Sequence, residues 1–256
     1  LGGYASSNIL GLNTRKYHGL LVAALHPPGA RTVCLAKLDE DILVDDNIFR
    51  LGANEFHGSI YPQGYMFLKE FVIAPFPTFT YKVHDMTVKK TIFMPQRKNL
   101  VVALYSFLNE SDNEAKLRIY PLMTCRYFHT TVDPWRNPLH FRQEHGERKV
   151  KLTFIAPNAT VIGYSSAGEF VEKPNWVNAV HYHEENVRGE LDTDDVYQPG
   201  YYEVPMTAKG ETRFAIAAAA SEKGQDAEDL INLAGTSVHD VDQLFMQVLD
   251  ERSRFL

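Results

Sequence analysis

The chain has 256 residues, and 45% of them are hydrophobic, which is enough for the core of one large β domain. Its 26 basic and 32 acidic residues give a formal charge of -6 at pH 7 without a basic block that could follow a phosphate backbone, so nucleic acid is not expected as a partner. No run approaches the roughly 18 consecutive apolar residues that cross a bilayer, and no targeting signal is recognised. We therefore expect a cytoplasmic protein without a membrane partner.

Short runs of β-branched and aromatic residues, separated by Gly, Pro, Asn and Asp, fill residues 17–220. In residues 78–83 and 150–154, apolar and polar side chains alternate, which is typical of strands with one buried face. Residues 100–108 and 214–220 are more continuously apolar. They predict central strands covered on both faces, although a buried helix has the same pattern.

Helical signals are found only near the end of the chain. Asp226 to Asp229 and Ser237 to Asp240 each place a capping side chain three residues before a carboxylate. From Ser237 onward the apolar residues recur on one helical face, and no Gly or Pro ends this pattern before Leu256, so we expect a piece of a longer polypeptide. The predicted domains are a mainly β sandwich over residues 1–220 and a helical tail or linker over residues 221–256.

The densest polar cluster is Asn-Thr-Arg-Lys-Tyr-His-Gly at residues 13–19, here called the polar loop, which precedes an apolar run. Arg and Lys supply donors for sugar hydroxyls, and a tyrosine ring can stack on a pyranose. The candidate binding residues are Asn13, Arg15, Lys16, Tyr17 and His18. The alternative is an ordinary loop, in which the charged side chains are solvated and Tyr17 and His18 lie at the edge of the core.

A second cluster runs from Arg126 through Tyr and Phe to His129, with Trp135 downstream. Aromatic residues interleaved with polar ones suit a carbohydrate-facing surface, because sugar rings present apolar C–H faces ringed by hydroxyls. Arg126 and His129 are therefore further binding candidates, and an ordinary ordered loop is the alternative. A role for His129 as an acid or base would need a positioned partner.

Neither a metal site nor a catalytic centre is predicted. His181 and His183 would share one face of a solvated edge strand, but two ligands are fewer than the three or four that a metal site needs. A glycosidase needs two carboxylates at a fixed separation, and spacing does not select a pair among the available acids. Those acids are Asp39, Glu40, Glu184, Glu185, Asp194 and Asp195. We predict no catalytic residue, no metal and no cofactor.

Motifs along nearly the whole chain resemble the N-terminal domain of prokaryotic glycogen debranching enzymes of the amylo-α-1,6-glucosidase type. The motifs are Gly2-Gly-Tyr-Ala-Ser-Ser7, residues 13–25, Pro27-Pro28, Lys37-Leu-Asp-Glu40, Tyr61-Pro-Gln-Gly64, Pro75-Phe-Pro77, Pro121-Leu122 with Arg126 and His129, Trp176, Tyr182, Arg188-Gly189 and Pro199-Gly200. Tyr127 departs from the pattern, in which an acidic residue is common at that position.

The resemblance implies a β-supersandwich of the galactose-mutarotase-like kind, followed in the full enzyme by an (α/α)6 toroid that carries the catalytic acids. It implies two partners for a non-catalytic chain: that C-terminal catalytic domain and an α-glucan such as glycogen. One alternative is a stand-alone mutarotase or epimerase that uses His129, His181 and Glu184. Another is a purely structural docking module, with the polar loop at the domain interface and Arg15 paired to a carboxylate of the catalytic domain.

Overall fold

The computed structural model describes residues 2–27, 29–235 and 237–253. Strands β1 to β6 are Tyr4–Ser6, Gly19–Ala24, Arg31–Val44, Asn47–Arg50, Ala53–Phe56 and Ser59–Gln63. Strands β7 to β12 are Leu68–Val72, Thr78–Val83, Met86–Phe93, Leu100–Asn109, Ala115–Tyr127 and Phe141–Gly146. Strands β13 to β17 are Lys149–Phe154, Ala159–Ser165, Glu169–His181, Thr193–Met206 and Gly210–Ser221. Helices α1 to α3 are His183–Val187, Gly224–Ala234 and Val238–Ser253, and a 3-10 helix covers Gly64–Phe67.

Two large antiparallel sheets form the body of the protein. The front sheet has the strand order β1-β2-β3-β11-β16-β15, with β4 paired to β3. The back sheet has the order β12-β13-β14-β17-β10-β9-β8-β7. Strands β5 and β6 pair with each other as a separate hairpin. One hydrophobic core contains side chains of both large sheets, so the prediction of a mainly β sandwich is confirmed.

The alternation of apolar and polar residues correctly predicts which side chains of the strands are buried. In β8 and β13 every second residue is buried, in agreement with one face in the core and one face outside. Strands β10 and β17 are neighbours in the back sheet. Val101 and Ile216 enter the core between the sheets, whereas Val102 and Ala217 face a second core formed with α2 and α3. The prediction of strands covered on both faces is confirmed.

The helices agree with the sequence only in part. Ser237 Oγ accepts a hydrogen bond from the Asp240 amide at 3.2 Å, and the Asp240 carboxylate accepts one from the Ser237 amide at 3.0 Å, which confirms this capping box. Helix α2 begins at Gly224 with Lys223 at the capping position, so the prediction of Asp226 as the cap is wrong by three residues. Pro28, Phe255 and Leu256 lie outside the described residues. Among the helices that the structure describes, none combines the length and apolar character of a membrane span.

Helix α1 corrects the prediction of a strand over residues 181–185. The strand β15 ends at His181, and the chain turns into a short helix at His183. His181 is buried, so it does not belong to a solvated edge. The helix also means that helical structure is not confined to the end of the chain. Its amide at Glu184 donates to the Thr14 carbonyl at 3.1 Å, which brings α1 against the polar loop.

A buried ion pair joins the two sheets. Lys90 of the back sheet donates from Nζ to Glu40 Oε1 of the front sheet at 2.6 Å. Lys90 also donates to the Leu38 carbonyl at 2.9 Å, and the Tyr105 hydroxyl donates to the same Glu40 oxygen at 2.7 Å. Charges inside a core are stable only when they are paired and hydrogen-bonded, as here. Glu40 is thereby occupied inside the sandwich.

Candidate functional site

Two residues of the polar loop point inward and hold it in place. Asn13 is buried and donates from Nδ2 to the Ala36 carbonyl on β3 at 3.0 Å. Lys16 is buried too, and its amide donates to Glu185 Oε2 on α1 at 2.8 Å. The Lys16 ammonium pairs with Glu190, which follows α1. These contacts fasten the loop to β3 on one side and to the α1 segment on the other.

The three other binding candidates of the polar loop, Arg15, Tyr17 and His18, are partly exposed. Arg15 donates from Nε to Glu185 Oε1 at 3.3 Å, and its guanidinium carbon lies 5.2 Å from the centroid of the Tyr17 ring. His18 Nδ1 accepts a hydrogen bond from the Thr14 amide at 3.2 Å. Burial and the nearby charge of Arg15 lower the pKa of His18. The imidazole of His18 is therefore neutral at pH 7, with Nδ1 fixed as the acceptor.

Tyr17 belongs to an aromatic patch that also contains Tyr127, Phe128 and His129. The Tyr17 hydroxyl lies 3.0 Å from His129 Nδ1, within hydrogen-bond distance. The Tyr17 ring meets Phe128 and His129 edge-on, with centroids 5.4 and 5.2 Å apart. Tyr127 and His129 are exposed. The patch thus combines ring surface with polar atoms at its rim, and it brings together the two clusters that the sequence marked separately.

Arg126, by contrast, is fully internal, with 2% of the residue exposed. It donates from Nε to Asp194 Oδ2 at 2.8 Å, from Nη1 to the Thr130 carbonyl at 2.8 Å and from Nη2 to the Lys16 carbonyl at 2.8 Å. The Tyr182 hydroxyl donates to the same Asp194 oxygen at 2.6 Å. Arg126 therefore positions the polar loop and the aromatic patch from below, while His129 lies at the surface.

In the sequence, nothing distinguished the acidic partners of these cations from the other acidic residues. Asp194 lies two residues before the buried Val196 on β16, so strand parity alone places its carboxylate on the buried face. A buried carboxylate needs a cation or several donors, and this need is the signal that could have pointed to Arg126. Glu185 carried no such signal, because α1 was not predicted.

A cleft over the front sheet is a second polar region, and the sequence did not indicate it. It has a volume of about 520 Å³, and its lining includes Asp41, Arg50, Tyr120 and Trp176. Burial raises the pKa of Asp41 to about 6, against the opposing charge of Arg50. The cleft therefore holds a carboxyl group that titrates near neutral pH beside two aromatic rings.

Comparison with known families decides the relationship of the chain. Residues 1–213 match the family described as "Glycogen debranching enzyme N terminal". The chain belongs to this family. The resemblance noted in the sequence motifs is thereby confirmed, and this debranching-enzyme domain carries both the aromatic patch and the cleft. No curated protein is significantly similar to it.

Two solved structures have a similar course of the chain. A bacterial glucoamylase in complex with acarbose has 10% identity and a TM-score of 0.47, and the match covers 99% of this chain and 38% of that one. A polysaccharide lyase has 10% identity and a TM-score of 0.45, with 85% of this chain and 28% of that one covered. The debranching-enzyme domain thus spans less than half the length of either protein. Similarity at this level does not indicate a shared activity.

Replacing Arg126 with Leu should lower the free energy of unfolding by about 3–5 kcal/mol, because Asp194 would stay buried without its cation. Urea unfolding of the two proteins measures the difference. Arg142→Leu is the matched control, since Arg142 pairs with Glu144 at the surface, with 81% of its side chain exposed, and we expect a loss below about 1 kcal/mol. Equal losses for the two variants would contradict the importance of the buried pair.

Asp41→Asn should stabilise the fold at pH 7 by about 1–2 kcal/mol after allowance for solvent screening. The folded-state pKa is about 6 and the ordinary value is 3.8, so the protonated carboxyl favours folding at low pH and this contribution is lost as pH rises through 6. The gain should vanish near pH 4. Urea unfolding at both pH values tests this, with the exposed Asp46→Asn as control, and a gain independent of pH would refute it.

Proposed function

We propose that this domain contributes to α-glucan binding in a glycogen debranching enzyme, with Arg15, Tyr17, His18 and His129 facing the sugar. The aromatic patch is the observation that carries the proposal. Ring faces pack against the C–H faces of a pyranose, and imidazole nitrogens and a guanidinium at the rim exchange hydrogen bonds with its hydroxyls. The remaining predicted residues, Asn13, Lys16 and Arg126, hold these groups in place rather than contact glucan.

In this proposal the domain is not catalytic by itself. The acids that cleave the α-1,6 linkage lie in a C-terminal (α/α)6 domain of the same polypeptide, on which this domain docks. Three acidic residues of this chain support this division, because each already pairs with a cation of the same chain. They are Glu40, Glu185 and Asp194. All three carboxylates are buried, so none of them faces a sugar at the protein surface.

A cytoplasmic location is part of the same proposal. Cys34 and Cys125 are buried free thiols, which suit a reducing compartment.

The two alternative functions have less support from the geometry. A mutarotase would need His129, His181 and Glu184 in one site, yet His129 contacts Tyr17, whereas His181 lies beside His57 and Asp192. A docking role for the polar loop had Arg15 paired to a carboxylate of the catalytic domain. Glu185 already supplies that carboxylate from within the chain. Polarimetry on free sugars with the isolated chain would detect a mutarotase.

Tyr17→Ala and His129→Ala, made in the full-length enzyme, should each raise KM for a branched limit dextrin about 3- to 10-fold with little change in kcat. Such a pattern reports lost binding that is equal in the ground and transition states. Initial rates of glucose release measure both constants. Thermal melting of each variant shows whether the fold is retained.

Tyr61→Ala is the matched control, because Tyr61 is an exposed tyrosine outside the aromatic patch and lines the cleft over the front sheet. Its KM should equal that of the unaltered enzyme. A higher KM for Tyr61→Ala alone would move the sugar contact from the aromatic patch to the cleft. Glucose release by the isolated 256-residue chain would place a catalytic acid pair inside this domain and refute the proposal.

A further inference from the structure

Three side chains with metal-binding groups converge where the β5–β6 hairpin meets the end of β15. His57 lies in the turn of the hairpin, His181 is the last residue of β15, and Asp192 directly precedes β16. One ligand atom from each lies within 4.8 Å of the others. Residues from three separate parts of the chain therefore meet in one place, which sequence spacing does not reveal.

His181 supplies the strongest indication of a ligand-binding site. Only 8% of its side chain is exposed, and its Nδ1 atom has no hydrogen-bond partner among the described residues. A buried polar atom without a partner is costly, so such atoms are rare in folded proteins. A group that binds this nitrogen and lies toward Asp192 would remove the cost.

The distance between the two inner ligands suits a shared ion. His181 Nδ1 lies 3.7 Å from Asp192 Oδ2, which is too long for a hydrogen bond. Two ligands of a tetrahedral zinc ion, with bonds of about 2.0–2.1 Å, lie roughly 3.3 Å apart. A small rotation of either side chain closes this difference.

The surroundings of the trio hold its members in place. Asp192 Oδ2 accepts a hydrogen bond from Asn186 Nδ2 at 2.6 Å, and its Oδ1 accepts one from the Thr193 hydroxyl at 3.0 Å. Second contacts of this kind orient carboxylate ligands in metal sites. The His57 and His181 rings lie with centroids 4.1 Å apart at an angle of 39°, close enough for one nitrogen of each to reach the same ion.

We propose that His57, His181 and Asp192 bind a divalent transition-metal ion, with Zn²⁺ as the best match to two imidazoles and one carboxylate. The sequence offered only His181 and His183 as ligands, and the tertiary structure adds His57 and Asp192. The ion would pin the β5–β6 hairpin to the segment that carries α1. The proposal is independent of glucan binding, since it concerns a site outside the aromatic patch.

A neighbouring set of groups requires a choice. Glu55 and His183 could join His181 in a second trio, and His183 Nδ1 lies 3.9 Å from Glu55 Oε1. We assign the ion to the His57 trio because the unpartnered Nδ1 of His181 faces Asp192 at the shorter distance.

The test is zinc binding by the untagged full-length protein after removal of metals with a chelator. Equilibrium dialysis against Zn²⁺ gives the affinity and the number of ions bound. His57→Ala and Asp192→Asn should each weaken one binding equivalent at least about ten-fold. His57 is exposed in a turn, so its replacement leaves the fold intact, and circular dichroism checks this.

His183→Ala and the exposed His140→Ala are the matched controls and should retain the wild-type affinity. Co²⁺ provides a second readout, because its visible absorption reports tetrahedral coordination, and the band should disappear in His57→Ala. Loss of the equivalent in His183→Ala but not in His57→Ala would overturn the assignment of ligands. Identical zinc binding by all four variants and the unaltered protein would overturn the site itself.

Discussion

The buried pair of Arg126 and Asp194 is the interaction on which the surface of this domain depends. A buried arginine is stable only when each guanidinium nitrogen has an acceptor, and here the acceptors come from separate stretches of chain. The Lys16 carbonyl belongs to the polar loop, Thr130 follows the aromatic patch, and Asp194 lies on β16. Because moving any one of them would leave a buried charge unsatisfied, the three stretches are fixed relative to one another.

That constraint explains why some polar residues around the aromatic patch are buried and others lie at the surface. Buried polar residues connect backbone segments, and the partly exposed residues next to them present ring surface and polar atoms at the surface. Tyr17 and His129 are 112 residues apart in sequence, yet their side chains meet at 3.0 Å because Arg126 holds the loop of Tyr17 beside the turn of His129. Groups held in this way lose little conformational entropy when a ligand binds, which favours affinity. The end of β15 places His181 beside Asp192, and α1, which follows, places Glu185 beside the polar loop.

Much of the fold follows from local pattern. Alternation in β8 and β13, the apolar runs of β10 and β17 and the capping box at Ser237 are all determined by residues close in sequence, and the structure agrees with each. Helix α1 was missed because its five residues, His-Glu-Glu-Asn-Val, are too few to show helical periodicity. The start of α2 was displaced because a carboxylate in the first turn resembles a cap.

The sequence by itself determined the mainly β class, the two polar clusters and the membership of the glycogen debranching family, since these depend on periodicity, composition and motif. It did not determine which polar residues lie inside. No local pattern distinguishes the buried residues Asn13, Lys16 and Arg126 from the more exposed Arg15 and His129. Their burial depends on partners far away in sequence, between about 20 and 170 positions. Asn13 contacts Ala36, for example, and Lys16 contacts Glu190. Only the tertiary structure decided this, because burying a charge is favourable only where the fold brings its counter-charge to the same place.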